Sequence, residues 1–298
     1  AELVAVGSRT QEKADAFADE FGAPRRHASY EALAADPDVD IVYVATPHPQ
    51  HKPCSMLCLE AGKAVLCEKP LTVNAAEAEE LVACARGRGL FLMEAMWTRF
   101  FPLMDKVREL LAADAIGEAR MLQVDLGFRA DFDPASRLFN PLLAGGALLD
   151  VGVYCVALSS MVFGEPSRAM GLAHLAETGV DEQAAWVFQY DRGQLAVGYC
   201  AMRTGSLQEV TILGTEGSIR IHSRFEVPEL MTVRTAGGEE EMEFPFEGTG
   251  MAFEAAAVSE CLRDGRLEHE LMPLDESIAI MRTMDALRAQ WGVKYPME

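Results

Sequence analysis

Residues 40–46 read DIVYVAT, a run in which nearly every position after the aspartate is apolar or β-branched. Such a run is typical of a strand that is buried on both faces, as in a parallel sheet covered by helices. A helical pattern follows from Gln50 to Glu60, and a second apolar strand follows at 64–67. Strands that alternate with single helices predict βαβ units, and therefore a parallel sheet with right-handed crossovers.

The same alternation continues on both sides of this stretch. A short strand is predicted at 3–6 and a helix at 11–21. Asn74 and Glu77 form a capping-box pattern for a helix that precedes a strand at 90–96. Ligands of such sheets bind in the crevice at the carboxyl ends of the strands. We therefore expect the functional residues of this part of the chain directly after its strands.

The pattern changes after about residue 100, where strands crowd together. Strands this close leave no room for crossover helices, so the second sheet is predicted to be largely antiparallel. The predicted strands lie at 119–128, 184–190, 194–202, 209–213, 218–221, 230–234 and 241–246. Helices are predicted at 103–113, around residue 150, at 251–263 and at 275–291. The chain is thus expected to form two domains, over 1–98 and 99–298.

Composition excludes several classes of function. The 298 residues are 50% hydrophobic and 24% charged, as in an ordinary globular protein, and the formal net charge is −20. So acidic a chain is a poor partner for nucleic acid or an anionic membrane, and we predict neither. Residues 145–164 imitate a membrane span, but Asp150 and four glycines interrupt them, so we expect a buried helix.

The seven cysteines are scattered and odd in number. This favours free thiols in a reducing compartment over a disulfide framework, and so a cytoplasmic location. His48, His51, Cys54 and Cys58 are spaced like metal ligands, but prolines interrupt the segment and no second ligand pair is evident. We therefore predict no metal. The two histidines are expected to line the crevice instead.

Lys69 stands at the end of a predicted strand, between Glu68 and Pro70. The proline biases Lys69 towards an extended backbone, which directs the ammonium over the crevice. A lysine there can anchor a hydroxyl group and lower the pKa of a neighbouring acid. On spacing alone, a solvated lysine at a strand end is the alternative.

Asp150 and Tyr154 lie four residues apart in a helical stretch, so both are expected on one face. Their neighbours are apolar residues and glycine, which indicates a desolvated site. A phenol with its ordinary pKa of about 10 is a poor base at neutral pH, but a nearby lysine ammonium and a cationic cofactor ring would lower that value. Taken alone, the pair is better explained as a buried tyrosine hydrogen-bonded to an aspartate.

Gly7-Ser8-Arg9 follows the first predicted strand. In dinucleotide-binding folds, an acid at the end of the second strand binds the ribose 2′-hydroxyl, whereas an arginine accommodates a 2′-phosphate. Ser8 and Arg9 without an acid therefore favour NADP over NAD, which remains possible. The alternative is a surface arginine before a helix. Trp97 and Arg99 lie where the chain leaves the first domain; Arg99 is expected to reach a pyrophosphate or to pair with a carboxylate.

Four stretches carry a resemblance to a known family: ATPHPQHK at 45–52, AGKAVLCEKPLTVNAAE at 61–77, GLFLMEAMWTRFFP at 89–102 and AGGALLDVGVYCV at 144–156. Together they resemble the glucose–fructose oxidoreductase/inositol dehydrogenase (Gfo/Idh/MocA) family of NAD(P)-dependent oxidoreductases. The likeness covers nearly the whole chain. It implies an α/β fold, with a Rossmann-like dinucleotide-binding domain followed by an α+β domain that has a large, mostly antiparallel open sheet.

The resemblance also implies roles for single residues. Lys69 matches the family's catalytic lysine, Asp150 its acid, and Tyr154 its proton-transferring residue, which is a histidine in many relatives. Other positions match residues that hold the dinucleotide: Thr46, Pro47, His51, Glu68, Trp97 and Arg99. With Ser8, Arg9, His48 and Lys69, these are the predicted cofactor-binding residues.

The implied reaction transfers a hydride between the nicotinamide and a secondary alcohol or anomeric hydroxyl, in a trans-dihydrodiol or an aldose such as xylose. Tyr154 would take the hydroxyl proton, and no metal is needed because the cofactor is the electrophile. Phe128, Arg129 and Phe225 are candidates for lining the substrate end. The open sheet implies a homodimer.

The chain departs from the family pattern at its start. The family begins with a strand and a G-x-G-x-x-G turn, and no such motif occurs here. We expect about 30 residues of the family pattern to be absent, which would leave an exposed sheet edge. The alternatives to an enzyme are a non-catalytic NAD(P)-binding sensor or an inactive fragment. Retention of Lys69, Asp150 and Tyr154 argues against the sensor.

Overall fold

The computed structural model describes all 298 residues. Strands and helices alternate over the first hundred residues, as predicted, and every strand pair there is parallel. The elements are β1 (Ala5–Gly7), α1 (Gln11–Phe21), β2 (Arg25–His27), α2 (Tyr30–Ala34), β3 (Ile41–Val44), α3 (His51–Glu60), β4 (Ala64–Glu68), α4 (Ala75–Arg88) and β5 (Leu92–Ala95). The sequence pattern does not predict β2, because Arg-Arg-His lacks the apolar residues of a buried strand.

The parallel strands form two separate sheets. β1 pairs only with β2, while β3, β4 and β5 pair in that order. β1 and β3 therefore each have one edge without a strand partner. This is the exposed edge that the sequence predicts. Tyr43 of β3 is 45% exposed and the residues on either side of it are buried, because successive side chains of a strand point to opposite faces of the sheet.

Capping residues in the sequence set where the helices between these strands begin and end. The Asn74 side chain accepts a hydrogen bond from the Glu77 backbone N–H at 2.9 Å, which starts α4 as predicted. The reciprocal bond of the capping box goes to the Val73 N–H rather than to Asn74 itself. Gly22 ends α1 with φ 75°, a left-handed conformation that favours glycine. Both helices thus return the chain to the next strand without a long loop.

The remaining residues form one eight-stranded sheet and four helices. The elements are α5 (Pro102–Ala112), β6 (Ala119–Gly127), α6 (Val153–Phe163), β7 (Arg168–Leu175), β8 (Asp181–Gln189), β9 (Leu195–Ala201), β10 (Val210–Gly214), β11 (Gly217–Ile221), β12 (Leu230–Thr235), β13 (Gly238–Glu243), α7 (Met251–Asp264) and α8 (Leu274–Trp291). The strand order is β13-β12-β11-β10-β6-β9-β8-β7. Only β6 and β9 pair in parallel, so the largely antiparallel prediction is confirmed.

Two strands differ from the prediction. β7 is not evident in the sequence, because its residues RAMGLAHL contain glycine, alanine and no β-branched side chain. β13 begins and ends three residues before the predicted strand at 241–246. The tight turn after β12 sets its register, since Thr235 pairs with Gly238.

The apolar stretch around Asp150 lies in the core. Pro141–Phe163 is long and apolar enough to span a membrane, but 83% of that window is buried inside the fold. Leu148–Gly152 forms a π-helical turn, and α6 continues from it. The prediction of a buried helix is therefore confirmed. All seven cysteines are free, as predicted.

Candidate active site

Lys69 and Tyr154 meet where the carboxyl end of β4 faces α6, a region called the cleft below. Lys69 directly follows β4, and its Nζ lies 4.6 Å from the centroid of the Tyr154 ring. The same ammonium donates to the Asp150 backbone carbonyl at 2.7 Å. Both side chains are partly buried. The structure thus brings together a lysine from one part of the chain and a tyrosine from another, 85 positions apart in the sequence.

Burial decides the electrostatics of Lys69. It holds the pKa of the ammonium below its ordinary value, and the carboxylates of Asp150 and Glu68 partly offset this effect. One of the three ammonium donors is used by the Asp150 carbonyl. The ammonium therefore remains able to donate to a further oxygen in the cleft.

The Asp150 carboxylate takes a different partner from the one expected. It accepts a hydrogen bond and ion pair from Arg137, whose side chain is 64% exposed. Only the backbone carbonyl of Asp150 faces Lys69. Burial alone would raise the pKa of Asp150, but Lys69 and Arg137 outweigh it and hold that pKa below its ordinary value. Asp150 lies in the wider π-helical turn at 148–152 rather than in a regular α-helix.

The Tyr154 hydroxyl oxygen accepts a hydrogen bond from the Trp97 indole N–H at 2.9 Å. Burial raises the pKa of the phenol above its ordinary value; the Trp97 bond opposes this, and nearby Glu68 and Asp150 add to it. In the protein alone, the phenol is therefore neutral near pH 7. Lys69 alone thus does not bring the pKa of this phenol below its ordinary value. The phenol's own proton remains available to donate.

His48 connects the two parts of the chain across the cleft. Its Nδ1 lies 3.0 Å from the Ala144 carbonyl oxygen. Burial, aided by His51 and Lys69, lowers the pKa of His48 to about 4. The imidazole is thus neutral at pH 7, with Nδ1 donating to the carbonyl and Nε2 available as an acceptor.

His51 does not line the crevice as expected. It is 1% exposed, and its two ring nitrogens lie 2.7 Å from the Pro70 carbonyl oxygen and 2.8 Å from the Thr46 carbonyl oxygen. Its ring therefore ties the end of β3 to the end of β4, and neither nitrogen is free for a dinucleotide. The spacing indicated proximity to the strand ends but not this orientation.

Arg99 is also placed differently from the prediction. It is 4% exposed, and its guanidinium donates to the Ala157 carbonyl at 2.6 Å, to the Leu271 carbonyl at 3.1 Å and to Glu276 at 2.6 Å. All three partners belong to the second domain. The prediction that Arg99 reaches a pyrophosphate is therefore wrong, and its alternative, pairing with a carboxylate, is what the structure shows.

The other predicted cofactor residues lie along the strand ends. Arg9 is exposed after β1, and Ser8 is half-buried beside it. The Thr46 hydroxyl is buried after β3 without a hydrogen-bond partner. Glu68 accepts hydrogen bonds from the Tyr43 hydroxyl and from the Lys69 backbone N–H. A free buried hydroxyl and an exposed arginine at the carboxyl ends of parallel strands fit a phosphorylated dinucleotide.

The substrate-end candidates are divided. Phe128 is half-buried and Arg129 is exposed. The backbone of Arg129 forms an isolated antiparallel β-bridge with that of Arg203. Phe225 is 0% exposed within the hydrophobic core, so it lines no pocket and that prediction is wrong. No group of three or more metal-ligating side chains comes together in the structure.

Sequence reasoning missed two parts of this site. Arg137 lies in an irregular segment before the π-helical turn, and nothing in the local pattern marks it. The Trp97–Tyr154 bond joins two predicted residues, but no sequence signal pairs them. Only the folded packing of the two domains places these partners together.

Comparison with known proteins decides the family. The family model described as "Oxidoreductase family, NAD-binding Rossmann fold" matches residues 1–96, and the GFO/IDH/MocA C-terminal domain matches residues 104–220. The chain belongs to the Gfo/Idh/MocA family. Trans-1,2-dihydrobenzene-1,2-diol dehydrogenases from Mus musculus and Homo sapiens are each 40% identical to it over 309 residues, covering 100% of this chain and 91% of the relative.

Solved structures agree with this assignment. A 3-ketoreductase from Actinomadura kijaniata, solved with NADP and TDP-benzene, is 26% identical with a TM-score of 0.86, covering 97% of this chain and 89% of that one. An aldose-aldose oxidoreductase from Caulobacter crescentus, complexed with glycerol, is 25% identical with a TM-score of 0.87, covering 97% and 90%. The predicted fold class is confirmed. This Gfo/Idh/MocA protein is an NAD(P)-dependent oxidoreductase that acts on hydroxyl groups of small molecules.

Proposed function

We propose that this oxidoreductase interconverts a trans-dihydrodiol and its oxidised product with NADP, and that Tyr154 and Lys69 handle the proton. The observation that carries the proposal is the ammonium of Lys69 standing 4.6 Å from the Tyr154 ring centroid in the cleft. The relatives that are 40% identical over the whole of this chain are trans-1,2-dihydrobenzene-1,2-diol dehydrogenases, which supports a diol as the substrate.

Each group at the site has a separate role in the reaction. When bound, the cofactor would supply a hydride as NADPH or take one up as NADP⁺. Tyr154 gives its phenolic proton to the substrate oxygen in reduction and takes that proton back in oxidation. Lys69 donates to the same oxygen and stabilises negative charge on it, while Trp97 donates to the phenol oxygen. Asp150 keeps Lys69 in place through its carbonyl.

The raised pKa of Tyr154 gives the two directions opposite pH dependence. A neutral phenol is ready to donate at pH 7, so reduction should be flat near neutrality and fall in alkali. Oxidation needs the phenolate, so it should increase as the pH rises.

We further propose that Ser8, Arg9, Thr46, Pro47, Glu68 and Trp97 hold the cofactor. Arg9 is exposed and positively charged, which suits a 2′-phosphate at the end of β1. Thr46 offers its unpartnered hydroxyl. His48, whose Nδ1 is held by the Ala144 carbonyl, and Lys69 complete the proposed set.

Steady-state assays with NADP test the substrate class. We expect kcat/KM for trans-1,2-dihydrobenzene-1,2-diol to exceed that for xylose by about 10-fold or more, because each misplaced or unpaired hydroxyl costs binding energy in the transition state. A higher kcat/KM for the aldose would contradict the diol and leave the oxidoreductase assignment intact.

We also propose a homodimer through the open face of the large sheet. Met170, Val187 and Val197 lie opposite one another on three neighbouring strands, and Leu172 is 82% exposed. An exposed apolar patch of this kind is typical of an interface, and a second copy would cover it. Sedimentation equilibrium should give a dimer that Leu172→Lys shifts to monomer. A monomeric wild-type protein would refute this assembly.

We also propose a domain boundary and a cellular location, each supported by a simpler observation. The parallel strands end at Ala95 and the large sheet begins at Ala119, which supports domains over 1–98 and 99–298. Seven free cysteines support a reducing, cytoplasmic location. Thiol titration of the unfolded protein purified under non-reducing conditions should find all seven thiols reactive.

A further inference from the structure

Glu94 is a fully buried acid that the proposed chemistry does not use. It lies on β5, is 0% exposed, and its Oε1 accepts a hydrogen bond from the Leu71 backbone N–H at 3.0 Å. Leu71 stands two residues after Lys69. Glu94 therefore holds the segment that presents the ammonium to the cleft.

Keeping a carboxyl group at this position is costly. Burial raises the pKa of Glu94 to about 7, and the Ser277 hydroxyl and the Leu71 N–H only partly offset that effect. An apolar side chain would avoid the cost, but it would leave the buried Leu71 N–H without an acceptor. The acid is thus explained by the segment that it holds rather than by packing.

Arg99 performs the corresponding task for Tyr154. Its guanidinium donates to the carbonyl of Ala157, which lies three residues after Tyr154 on α6, and to Glu276 in the first turn of α8. Glu276 in turn accepts from the Ser160 hydroxyl of α6 at 2.6 Å. The helix that carries the phenol is therefore tied to α8 at two points.

The two buried groups belong to one short connection. Glu94 is the last residue but one of β5, and Arg99 lies in the 3₁₀ turn Trp97–Phe100 that follows. Trp97, between them, donates to the phenol itself. One segment of six residues thus contacts the Lys69 segment at its start and the Tyr154 helix at its end.

We propose that Glu94 and Arg99 are positioning residues that set the ammonium of Lys69 against the phenol of Tyr154, acting through the Leu71 N–H and the Ala157 carbonyl. The inference rests on the roles proposed above for Lys69 and Tyr154. By this proposal, the segment 94–99 between the domains contributes to catalysis as well as to folding.

Paired substitutions at Glu94 test the first half. Glu94→Leu removes the acceptor and should lower kcat about 10-fold or more while KM for the diol changes less than about 3-fold, because small displacements of reacting groups are costly. Glu94→Gln keeps an oxygen for the Leu71 N–H and should retain kcat within about 3-fold. Hydrogen exchange of the Leu71 amide, measured without cofactor, should accelerate in the leucine variant and stay slow in the glutamine variant.

Arg99→Met tests the second half, with Asp36→Leu as the matched control for loss of a buried ionic group. Asp36 is 5% exposed and accepts the Asp38 backbone N–H at 3.0 Å, but it lies before β3, at the opposite edge of the parallel strands. We expect both variants to lower the Tm. Only Arg99→Met should lower kcat about 10-fold, whereas Asp36→Leu should stay within about 2-fold.

The outcomes separate this inference from the proposed function. If Glu94→Leu and Arg99→Met lower the Tm but leave kcat as Asp36→Leu does, both residues only stabilise the fold and the inference is overturned. If Glu94→Leu does not fold, a large loss of kcat in Glu94→Gln with Leu71 still protected overturns it equally. Full turnover in Lys69→Ala and Tyr154→Phe would instead refute the proposed function.

Discussion

The two ends of the cleft are built in different ways. At one end, Lys69 and Tyr154 are partly buried; Lys69 donates a hydrogen bond to the Asp150 carbonyl, and Tyr154 accepts one from the Trp97 indole N–H. At the other end, Arg9 is exposed after β1, a strand that pairs only with β2. The groups that must meet within hydrogen-bonding distance are assembled from two domains. Arg9, the group proposed to attract a phosphate, belongs to one domain alone.

Because of this difference, we expect the end with Tyr154 to control kcat and the end with Arg9 to control KM for the cofactor. Misplacing a proton donor raises the barrier of the chemical step, so changes near Tyr154 should appear in kcat. Losing a surface cation weakens attraction to a phosphate, so changes at Arg9 should appear in KM for the cofactor. The following experiments either separate the two ends or show that they act alike.

The largest effect is expected at Tyr154. Tyr154→Phe removes the proton donor and keeps the ring under Lys69, so kcat for diol oxidation should fall about 10²- to 10⁴-fold with little change in KM for NADP. The rise of wild-type oxidation with pH should disappear as well, since no phenolate forms. Steady-state pH profiles measure both. A variant that keeps the alkaline rise would show that another group transfers the proton.

A smaller effect is expected at Arg9. Arg9→Glu should raise KM for NADP about 10-fold or more and improve NAD relative to NADP, because a carboxylate repels the 2′-phosphate and accepts a ribose hydroxyl. The exposed Arg192, which pairs with Glu118 on the large sheet, gives a control of equal charge. Arg192→Glu should leave both cofactors unaffected. Loss of kcat rather than KM at Arg9 would contradict the division between the two ends.

Loss of Arg137 is expected to change kcat less than loss of Arg9 changes KM for NADP. Arg137→Gln removes one of the two cations that lower the pKa of Asp150, so that pKa should rise. Because the Asp150 carbonyl, not its carboxylate, holds Lys69, kcat near pH 7 should fall only about 3-fold. Activity should then decline at a higher pH on the acid side than in the wild type. An unchanged acid limb would show that the Asp150 carboxylate does not influence the site.

The smallest effect concerns stability. Glu254 on α7 is 2% exposed, and burial, with the charge of Glu68, raises its pKa to about 8. The folded protein therefore binds a proton that the unfolded chain releases between about pH 4.5 and 8, so this carboxyl reduces stability as the pH rises through that range.

Glu254→Gln cannot ionise and should raise the free energy of unfolding at pH 8 by on the order of 1 kcal/mol, with no gain near pH 4.5. Thermal unfolding at both pH values measures the difference. The exposed Glu247→Gln is the control and should show no pH-dependent change. A gain of equal size at both pH values would mean that Glu254 is not desolvated in the folded protein.

Much of the fold is predictable from local pattern. The run at 40–46 and the cap at Asn74 correctly predict β3 and α4, because buried parallel strands and helix caps leave strong signals. β2 and β7 leave none, since one is polar and the other is rich in alanine and glycine. Their pairing depends on neighbouring strands that are distant in sequence.

The site is less predictable than the fold for a physical reason. Strand ends and helical spacing indicate that Lys69 and Tyr154 are near the crevice, but orientation depends on partners across the domains. Arg99 illustrates this: its position was expected near the dinucleotide, yet buried carbonyls and Glu276 bind its guanidinium on the other side. The Asp150 carboxylate likewise pairs with Arg137, a residue that no local sequence pattern marks.

If Lys69 and Tyr154 act together in one proton-transfer step, a double-mutant cycle on kcat will show it. Residues that share one step give non-additive losses, so Lys69→Ala/Tyr154→Phe should be about as slow as the slower single variant. Losses that multiply, so that the double variant is slower by the product of the two single effects, would show that the residues act independently and would contradict this account.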